Sequence, residues 1–326
     1  MCSLLCPDLF LLKTLAGSQK VETKPRIAFG DSYTYVQGTH GHQNYSFIGD
    51  QFNYAYDAQT LPSDMIVQNQ TATAEGGPNW IEYLTNCGVQ PGITSPLSCK
   101  KQLWDFAFAG ADISTEYTPL HHNFTVSLVN QITQFKEYGH ATISHILPAT
   151  DTLIATWIGI NDVGDSSKYP VHFPTFYKNL TSTLFTSIDG LYTLGYRSYL
   201  LLDLPPLDRT PGNRATSTPH PNATQVDWYN DALRSGAELF AKRRDVEVRV
   251  FDAHARLNGI MDHPGQYGMV NMTGFCAGYD QPDIELNYED YGCPVPLDEY
   301  FWFNSRHLTS HVHRILAEEL DEWLQG

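Results

Sequence analysis

The chain has 326 residues, of which 42% are hydrophobic and only 17% are charged, and its formal net charge is −16. This length suits one large α/β domain or two small ones. The acidic excess argues against two classes of partner, nucleic acid and anionic lipid surfaces, because both bind basic patches. We therefore expect no nucleic-acid partner and no stable membrane association.

The N-terminal segment is apolar but is a poor signal peptide. The run "MCSLLCPDLFLLKTLAGSQ" is interrupted by Pro7, Asp8 and Lys13, and it lacks the basic stretch that begins a leader. It is also too short to span a membrane. We interpret residues 1–22 as a leader or a disordered N-terminus, and residues 23–326 as a single domain.

Short apolar runs alternate along the chain with longer runs of helical periodicity. The predicted strands are "RIAFG" (26–30), "TLIATWIGI" (152–160), "YRSYLLLDLPP" (196–206) and "VEVRVFD" (246–252). The predicted helices cover residues 79–87, 125–139, 175–195, 225–244 and 309–324. We expect the second helix to end at Gly139 and the third at Gly195, because glycine favours the left-handed conformation that ends helices.

This alternation predicts a parallel sheet with helices on both faces. Open sheets of this kind bind ligands just beyond the carboxyl ends of their strands. Ser32 lies just past the first predicted strand, and Asn161 lies just past "TWIGI". We therefore expect both side chains to point into one crevice.

The chain carries six N-x-S/T sequons, more than its composition predicts by chance. The candidate glycosylation sites are Asn44, Asn69, Asn123, Asn179, Asn222 and Asn271. Glycans at these sites would supply the surface polarity that the low charge content does not. The sequons indicate a secreted glycoprotein.

Four of the six cysteines bracket two polar loops. Cys87 and Cys99 flank one loop, and Cys276 and Cys293 flank the other. Each pair is typical of a disulfide that closes a loop, which an oxidising compartment permits. Buried free thiols are the alternative. Together with the sequons, these pairs predict an extracellular protein.

A serine at the exit of a buried strand is a candidate nucleophile when a base and oxyanion donors accompany it. Ser32 stands in "FGDSYTYV", and His307, in the loop before the last helix, is the best-placed candidate base among 13 histidines. Asn161 and the backbone of Gly110 are candidate oxyanion donors. Each residue alone is typical of a turn or a cap. The four together indicate acyl transfer.

Four blocks, "FGDSYTYV", "FAFAGADIS", "WIGINDVG" and "FWFNSRHLTSHVHRILA", resemble in this order the signature blocks of the GDSL/SGNH hydrolases. The resemblance covers essentially the whole chain and is strongest to fungal secreted acetylesterases of carbohydrate esterase family sixteen. It implies a three-layer α/β/α flavodoxin-like fold with a central parallel sheet, and ester hydrolysis without a metal or cofactor. It also implies Ser32 as nucleophile and His307 as base, with an oxyanion hole formed by the N–H groups of Ser32 and Gly110 and the Asn161 side chain.

One position departs from that family. Its members usually have an aspartate three residues before the catalytic histidine, and here that position is Asn304. Losing this carboxylate can favour the wrong histidine tautomer. Three accounts stay open, in this order of preference. Asn304 orients His307 as a neutral acceptor, Asp298 or Glu299 replaces the aspartate, or the enzyme is weakened.

The leading hypothesis is a secreted serine esterase that removes acetyl groups from hemicellulose-derived carbohydrate esters through an acyl-enzyme. Its partner is an acetylated oligosaccharide or another short-chain ester, and we expect a monomer. The alternatives are a lipase or lysophospholipase of the GDSL type, and a catalytically weakened homologue that binds carbohydrate.

Aromatic residues near the four blocks are candidates for stacking on sugar rings, with core packing as the alternative for each. They are Tyr33, Tyr35, Trp104, Trp157 and Trp302. Core packing is favoured for Trp157, because it lies inside a predicted strand.

Asn304 also bears on the pH dependence. A neutral partner stabilises imidazolium less than a carboxylate does, so we expect His307 to be weakly basic. We expect activity to be confined to neutral or higher pH, where His307 is unprotonated.

Overall fold

A computed structural model describes residues 24–36, 67–68, 73–90 and 93–326. The segment 1–22 and the sequons at Asn44 and Asn69 lie outside the described residues. The strands of the described part are β1 (Arg26–Gly30), β2 (Val67–Gln68), β3 (Ile93–Thr94), β4 (Leu103–Asp105), β5 (Leu153–Trp157), β6 (Ser198–Leu202) and β7 (Glu247–Phe251). Its α-helices are α1 (Trp80–Thr85), α2 (Leu128–Gln134), α3 (His140–Ile143), α4 (Ile160–Asp165), α5 (Phe173–Thr193), α6 (Pro211–Arg214), α7 (Ala223–Phe240), α8 (Ala253–Asp262), α9 (Ile284–Asn287) and α10 (Ser310–Gln325).

Five strands form one parallel sheet in the order β4-β1-β5-β6-β7, while β2 and β3 pair separately. Counting only the strands of the large sheet, this is the flavodoxin-like order of a doubly wound sheet. The chain passes from β1 to β4 on one side and then to β5 on the other, so the topological switch point lies between β1 and β5. Ligands of such sheets bind at the carboxyl ends of the strands flanking the switch point.

Both faces of the sheet are covered, which is why its central strands are almost entirely apolar. Along β1, Ile27 and Phe29 pack into a cluster with α2, α5 and α7, whereas Ala28 packs into a second cluster with α1, α8 and α10. Successive side chains of a strand point to opposite faces, so the alternation assigns each residue to one cluster. The three-layer α/β/α arrangement implied by the family resemblance is confirmed.

Gly139 does not end its helix, contrary to the sequence-based expectation. The backbone of Gly139 is right-handed (φ −87°), and the π-helical turn Phe135–Gly139 leads directly into α3. Gly195, in contrast, has φ +101° and follows the end of α5 as expected. The flexibility of glycine permits a left-handed end but does not enforce one.

The strand predicted over 152–160 ends earlier, at Trp157. Gly159 has φ +110°, and α4 begins at the next residue, so Asn161 lies in the first turn of a helix. A Cβ atom built on Gly159 would lie 2.2 Å from the Tyr229 hydroxyl oxygen. This position requires glycine both for its conformation and for the close approach of Tyr229.

Two disulfides close the two polar loops, as their spacing predicted. Cys87 pairs with Cys99, with the Cα atoms 5.5 Å apart, and Cys276 pairs with Cys293 at 5.4 Å. The first connects the chain after α1 to the segment before β4. The second belongs to a small apolar cluster with Ile284. Each crosslink restrains a loop with little regular structure of its own.

Candidate active site

The chain turns tightly as it leaves β1. The Asp31 carbonyl accepts hydrogen bonds from the N–H groups of Thr34 (3.1 Å) and Tyr35 (2.9 Å). Oδ1 of Asp31 accepts from the N–H of Tyr33 (3.0 Å). These bonds close the turn and place Ser32, 8% exposed, at the carboxyl end of β1 beside the switch point.

Ser32, His307 and Asn304 form one hydrogen-bonded chain. Oγ of Ser32 lies 2.8 Å from Nε2 of His307, and Nδ1 of His307 lies 3.1 Å from Oδ1 of Asn304. The first two residues are 275 positions apart in the sequence. The tertiary structure thus joins a hydroxyl, an imidazole and an orienting acceptor in the order that activates a serine nucleophile.

Asn304 is held with its amide oxygen, rather than its nitrogen, facing the imidazole. Oδ1 accepts from the backbone N–H groups of Arg306 and His307, both at 2.9 Å. An amide nitrogen cannot accept these bonds, so the reversed side chain would leave donors facing donors. Nδ1 of His307 therefore carries the proton, and Nε2 is free to accept from the Ser32 hydroxyl. This geometry supports the first account of Asn304.

The second account of Asn304 is contradicted. Asp298 and Glu299 lie in the 3-10 turn Leu297–Glu299, where Nδ1 of His311 donates to the Asp298 carbonyl (2.5 Å). Neither carboxylate contacts the imidazole of His307, whose Nδ1 is already paired with Asn304. Proximity in sequence did not bring them to the base, because the turn directs them away from it.

The loop that carries His307 rests on Tyr33, a supporting role that the sequence reasoning missed. The Tyr33 hydroxyl donates to the carbonyl of Arg306 (2.5 Å), and its ring centroid lies 5.4 Å from that of the His307 imidazole. The N–H of Phe303 donates to the His307 carbonyl (2.8 Å). An aromatic residue directly after the nucleophile was the available signal, but its partner lies 273 positions away.

The interpretation of the aromatic residues near the blocks as sugar-stacking candidates is wrong for Tyr33, Trp104 and Trp302, which are fully buried. Trp157 is fully buried as well, which confirms the core packing expected for it. The blocks lie at strand ends, so large rings beside them fill the layers beneath the site. Tyr35, 8% exposed, borders the cleft, as do Phe124 and His122, whose rings stack with centroids 5.1 Å apart.

Three groups around Ser32 are free to stabilise an oxyanion. In the described part of the chain, the backbone N–H groups of Ser32 and Gly110 donate to no protein acceptor. The Asn161 side chain uses one amide hydrogen to donate to the Ala111 carbonyl (3.0 Å), which leaves a second. Gly110 follows β4, and Asn161 follows β5, so the strands on both sides of β1 contribute donors.

A cleft of about 840 Å³ opens over these groups. Ser32, Gly110, Asn161 and His307 all line it. Asn304 does not line the cleft but is hydrogen-bonded to His307, so the structure brings all five sequence-predicted site residues together. Among the described residues, no group of three or more His, Cys, Asp or Glu side chains is arranged to hold a metal ion.

The electrostatic environment weakens the candidate base. Burial, assisted by the Arg306 guanidinium, lowers the pKa of His307 to about 4. The imidazole is weakly basic, as Asn304 suggested. The expectation that activity requires neutral or higher pH is wrong, however, because a base with a low pKa stays unprotonated in mild acid. Activity should therefore persist well below neutral pH.

We expect kcat/KM to stay constant from neutral pH down to about pH 5 and to fall about tenfold per pH unit below about pH 4, where Nε2 of His307 is protonated and cannot accept from Ser32. Acetate release should be the readout, because p-nitrophenol is colourless in acid. Activity that is already halved between about pH 6 and 7 would contradict the low pKa of His307.

Known proteins with similar sequences support an ester hydrolase. The family model of the GDSL-like lipase/acylhydrolases matches residues 27–320. The chain belongs to this family. Two relatives are acetylesterases, one from Thermothelomyces thermophilus (27% identity, covering 93% of this chain and 89% of the relative) and one from Hypocrea jecorina (23% identity, covering 92% and 88%). The hydrolase is therefore a carboxylic ester hydrolase of the GDSL type.

Solved structures with a similar fold are more distant. A carbohydrate acetylesterase from Sinorhizobium meliloti is 10% identical, with a TM-score of 0.42, and covers 93% of this chain and 98% of its own. An aryl esterase from M. smegmatis is 12% identical, with a TM-score of 0.44 and the same coverage. In the described residues of the hydrolase, no helix is long and apolar enough to cross a membrane.

Proposed function

We propose that this hydrolase is a secreted, monomeric serine esterase that removes acetyl groups from carbohydrate esters, such as those of hemicellulose fragments. The observation that carries the proposal is the hydrogen-bonded chain from Ser32 through His307 to Asn304. It supplies a nucleophile, a general base and a group that fixes the tautomer of the base. The two acetylesterase relatives support acetyl as the acyl group.

Catalysis follows from this geometry. Oγ of Ser32 attacks the acetyl carbonyl carbon while Nε2 of His307 takes the hydroxyl proton. The N–H groups of Ser32 and Gly110 and the amide of Asn161 bind the oxyanion of the tetrahedral intermediate. His307 then gives its proton to the leaving sugar oxygen. Water, deprotonated by His307, then attacks the carbonyl carbon of the acetyl-enzyme. The bond between this carbon and Oγ breaks, His307 returns the proton to Oγ, and acetate leaves.

The cleft wall is mixed in polarity. Ser167 and Thr218 are exposed on it and can contact the hydroxyls of a sugar. Thr210 and Asn213 also line it, but their side chains are engaged in hydrogen bonds within the protein. Apolar side chains, those of Tyr35, Phe124, Ile160 and Leu207, complete the wall. The length of the preferred acyl chain is therefore the property that separates the acetylesterase from the lipase alternative.

Secretion is supported by the disulfides and by the positions of the sequons. Asn123, Asn179 and Asn222 are exposed, while Asn271 is half-buried. Oδ1 of Asn222 caps α7 by accepting from the N–H of Gln225 (3.0 Å), so its Nδ2 stays available for a glycan. Exposed acceptor sites and two crosslinks fit an oxidising, extracellular environment.

The test is a series of p-nitrophenyl esters from acetate to octanoate, together with acetate release from acetylated xylo-oligosaccharides. We expect kcat/KM to fall at least about tenfold from acetate to octanoate, since the proposed site fits the acetyl group named for the two relatives and has to exclude a longer acyl chain. Preference for the longer esters would favour the lipase alternative. An inert wild type would favour the weakened, carbohydrate-binding homologue.

A further inference from the structure

The two chain segments that contribute Gly110 and Asn161 are joined by hydrogen bonds. The Asn161 amide, whose second hydrogen serves the oxyanion, donates to the Ala111 carbonyl (3.0 Å), and the N–H of Ile113 lies 3.1 Å from both carboxylate oxygens of Asp162. The loop after β4 is thus attached to the first turn of α4 at two points.

A third attachment lies at the cleft wall and involves His121. Its side chain packs against Gly110, since a Cβ atom built there would lie 3.4 Å from the His121 Cβ atom and 3.7 Å from its ring. Nε2 of His121 lies 3.1 Å from Oδ2 of Asp165, the residue one helical turn after Asn161 on α4. The same nitrogen lies 4.0 Å from Oδ2 of Asp112. His121 therefore contacts both segments.

The charges in this cluster favour a protonated His121. The Asp165 carboxylate beside it raises the pKa of His121, against burial, which lowers it. Burial opposes ionisation of Asp165, but His121 and Lys168, whose Nζ lies 2.8 Å from Oδ2, lower the pKa of Asp165 to about 2. Burial raises the pKa of Asp112 to about 6 and that of Asp31 to about 7. The imidazolium thus supplies positive charge beside acids buried under the oxyanion hole.

We infer that His121 is a positioning residue, which ties the Gly110 loop to α4 through Asp165 and so fixes the spacing of the Gly110 and Asn161 oxyanion donors. The inference rests on the proposed serine-esterase mechanism. It assigns His121 no contact with substrate. Its effect therefore belongs to the transition state, where the oxyanion forms, and not to substrate binding.

The experiment compares His121→Ala, His121→Gln and Asp165→Asn with the wild type, using p-nitrophenyl acetate. We expect His121→Ala to lower kcat by about 10- to 100-fold, less than the 10²- to 10³-fold of deleting one oxyanion donor outright, with KM changed less than about twofold. His121→Gln keeps an N–H donor toward Asp165 and should recover most of kcat. For Asp165→Asn we expect kcat to fall several-fold. In the double variant His121→Ala with Asp165→Asn, kcat should fall no further than in His121→Ala alone.

A matched control is His140→Ala. His140 is also partly buried and ties α3 to the Tyr196 hydroxyl (3.2 Å), but near the amino end of the sheet, away from the cleft. Its loss should lower the melting temperature without changing kcat. The inference is overturned if His121→Ala keeps kcat within about twofold, if its loss lies only in KM, or if His121→Gln is as slow as His121→Ala.

The failure of this inference is distinguishable from failure of the proposed function. If the wild type does not hydrolyse the ester, or if removing the Ser32 hydroxyl leaves hydrolysis intact, the serine-esterase proposal fails. If the wild type is active and depends on Ser32 while His121→Ala is unimpaired, only the positioning role of His121 is rejected.

Discussion

Ser32→Ala is expected to lower kcat for p-nitrophenyl acetate by at least about 10⁴-fold, because no acyl-enzyme forms without Oγ. His307→Ala should be similarly inactive, since Oγ then has no base at 2.8 Å. Combining the two substitutions should cost hardly more than either alone, because both residues act in one proton transfer. The measurement is steady-state hydrolysis at pH 7 with purified variants of equal melting temperature.

Ser235→Ala provides a matched control for the loss of a hydroxyl. Ser235 is exposed on α7, does not line the cleft, and its hydroxyl makes no hydrogen bond to another described residue. Its replacement should leave the hydrolysis of p-nitrophenyl acetate within about twofold, as is usual for exposed positions without partners. If Ser32→Ala retained a tenth or more of the wild-type rate, Ser32 would not be the nucleophile.

Asn304→Ala is expected to give the second large effect, lowering kcat by about 10²- to 10⁴-fold. Among the described residues, the substitution removes the only acceptor at Nδ1 of His307, and it leaves the N–H groups of Arg306 and His307 without theirs. The imidazole is then free to rotate or to adopt the tautomer that protonates Nε2. The measurement is kcat beside the melting temperature, which should fall by only a few degrees.

Asn304→Asp separates orientation from charge. A carboxylate can accept the same three hydrogen bonds, so this variant should stay active at neutral pH. Its negative charge stabilises imidazolium, and the acid limb of the pH profile should move up by about one to two pH units. A fully active Asn304→Ala would instead show that the loop alone orients His307, and that the contact with Asn304 does not contribute to catalysis.

In a serine-protease triad, changing the orienting aspartate to asparagine costs about 10⁴-fold, because the amide selects the wrong tautomer. The present geometry avoids that outcome by engaging the amide oxygen with two backbone donors. A neutral orienter leaves the base weaker, so His307 stays unprotonated in mild acid. Asn304 and the low pKa of His307 are therefore consistent parts of one site.

The local pattern of the sequence was sufficient to predict the longer strands and most of the long helices, and to select the candidate nucleophile and base. Long apolar or periodic runs such as 175–195 and 246–252 became α5 and β7, since many residues share the signal. The cysteine spacing predicted both disulfides. The short strand β4 was missed because its three residues carry too little periodicity, and the ten-residue helix α8 was missed as well.

The relations between distant segments were decided by the tertiary structure. Which partner orients His307, which aromatic rings are buried, and how His121 meets Asp165 all depend on how loops from separate strands converge at one edge of the sheet. The pKa of His307 likewise depends on burial, which no neighbour in sequence determines. Sequence carries residue types and local periodicity, whereas distances and desolvation arise only when the strands pair and the layers close.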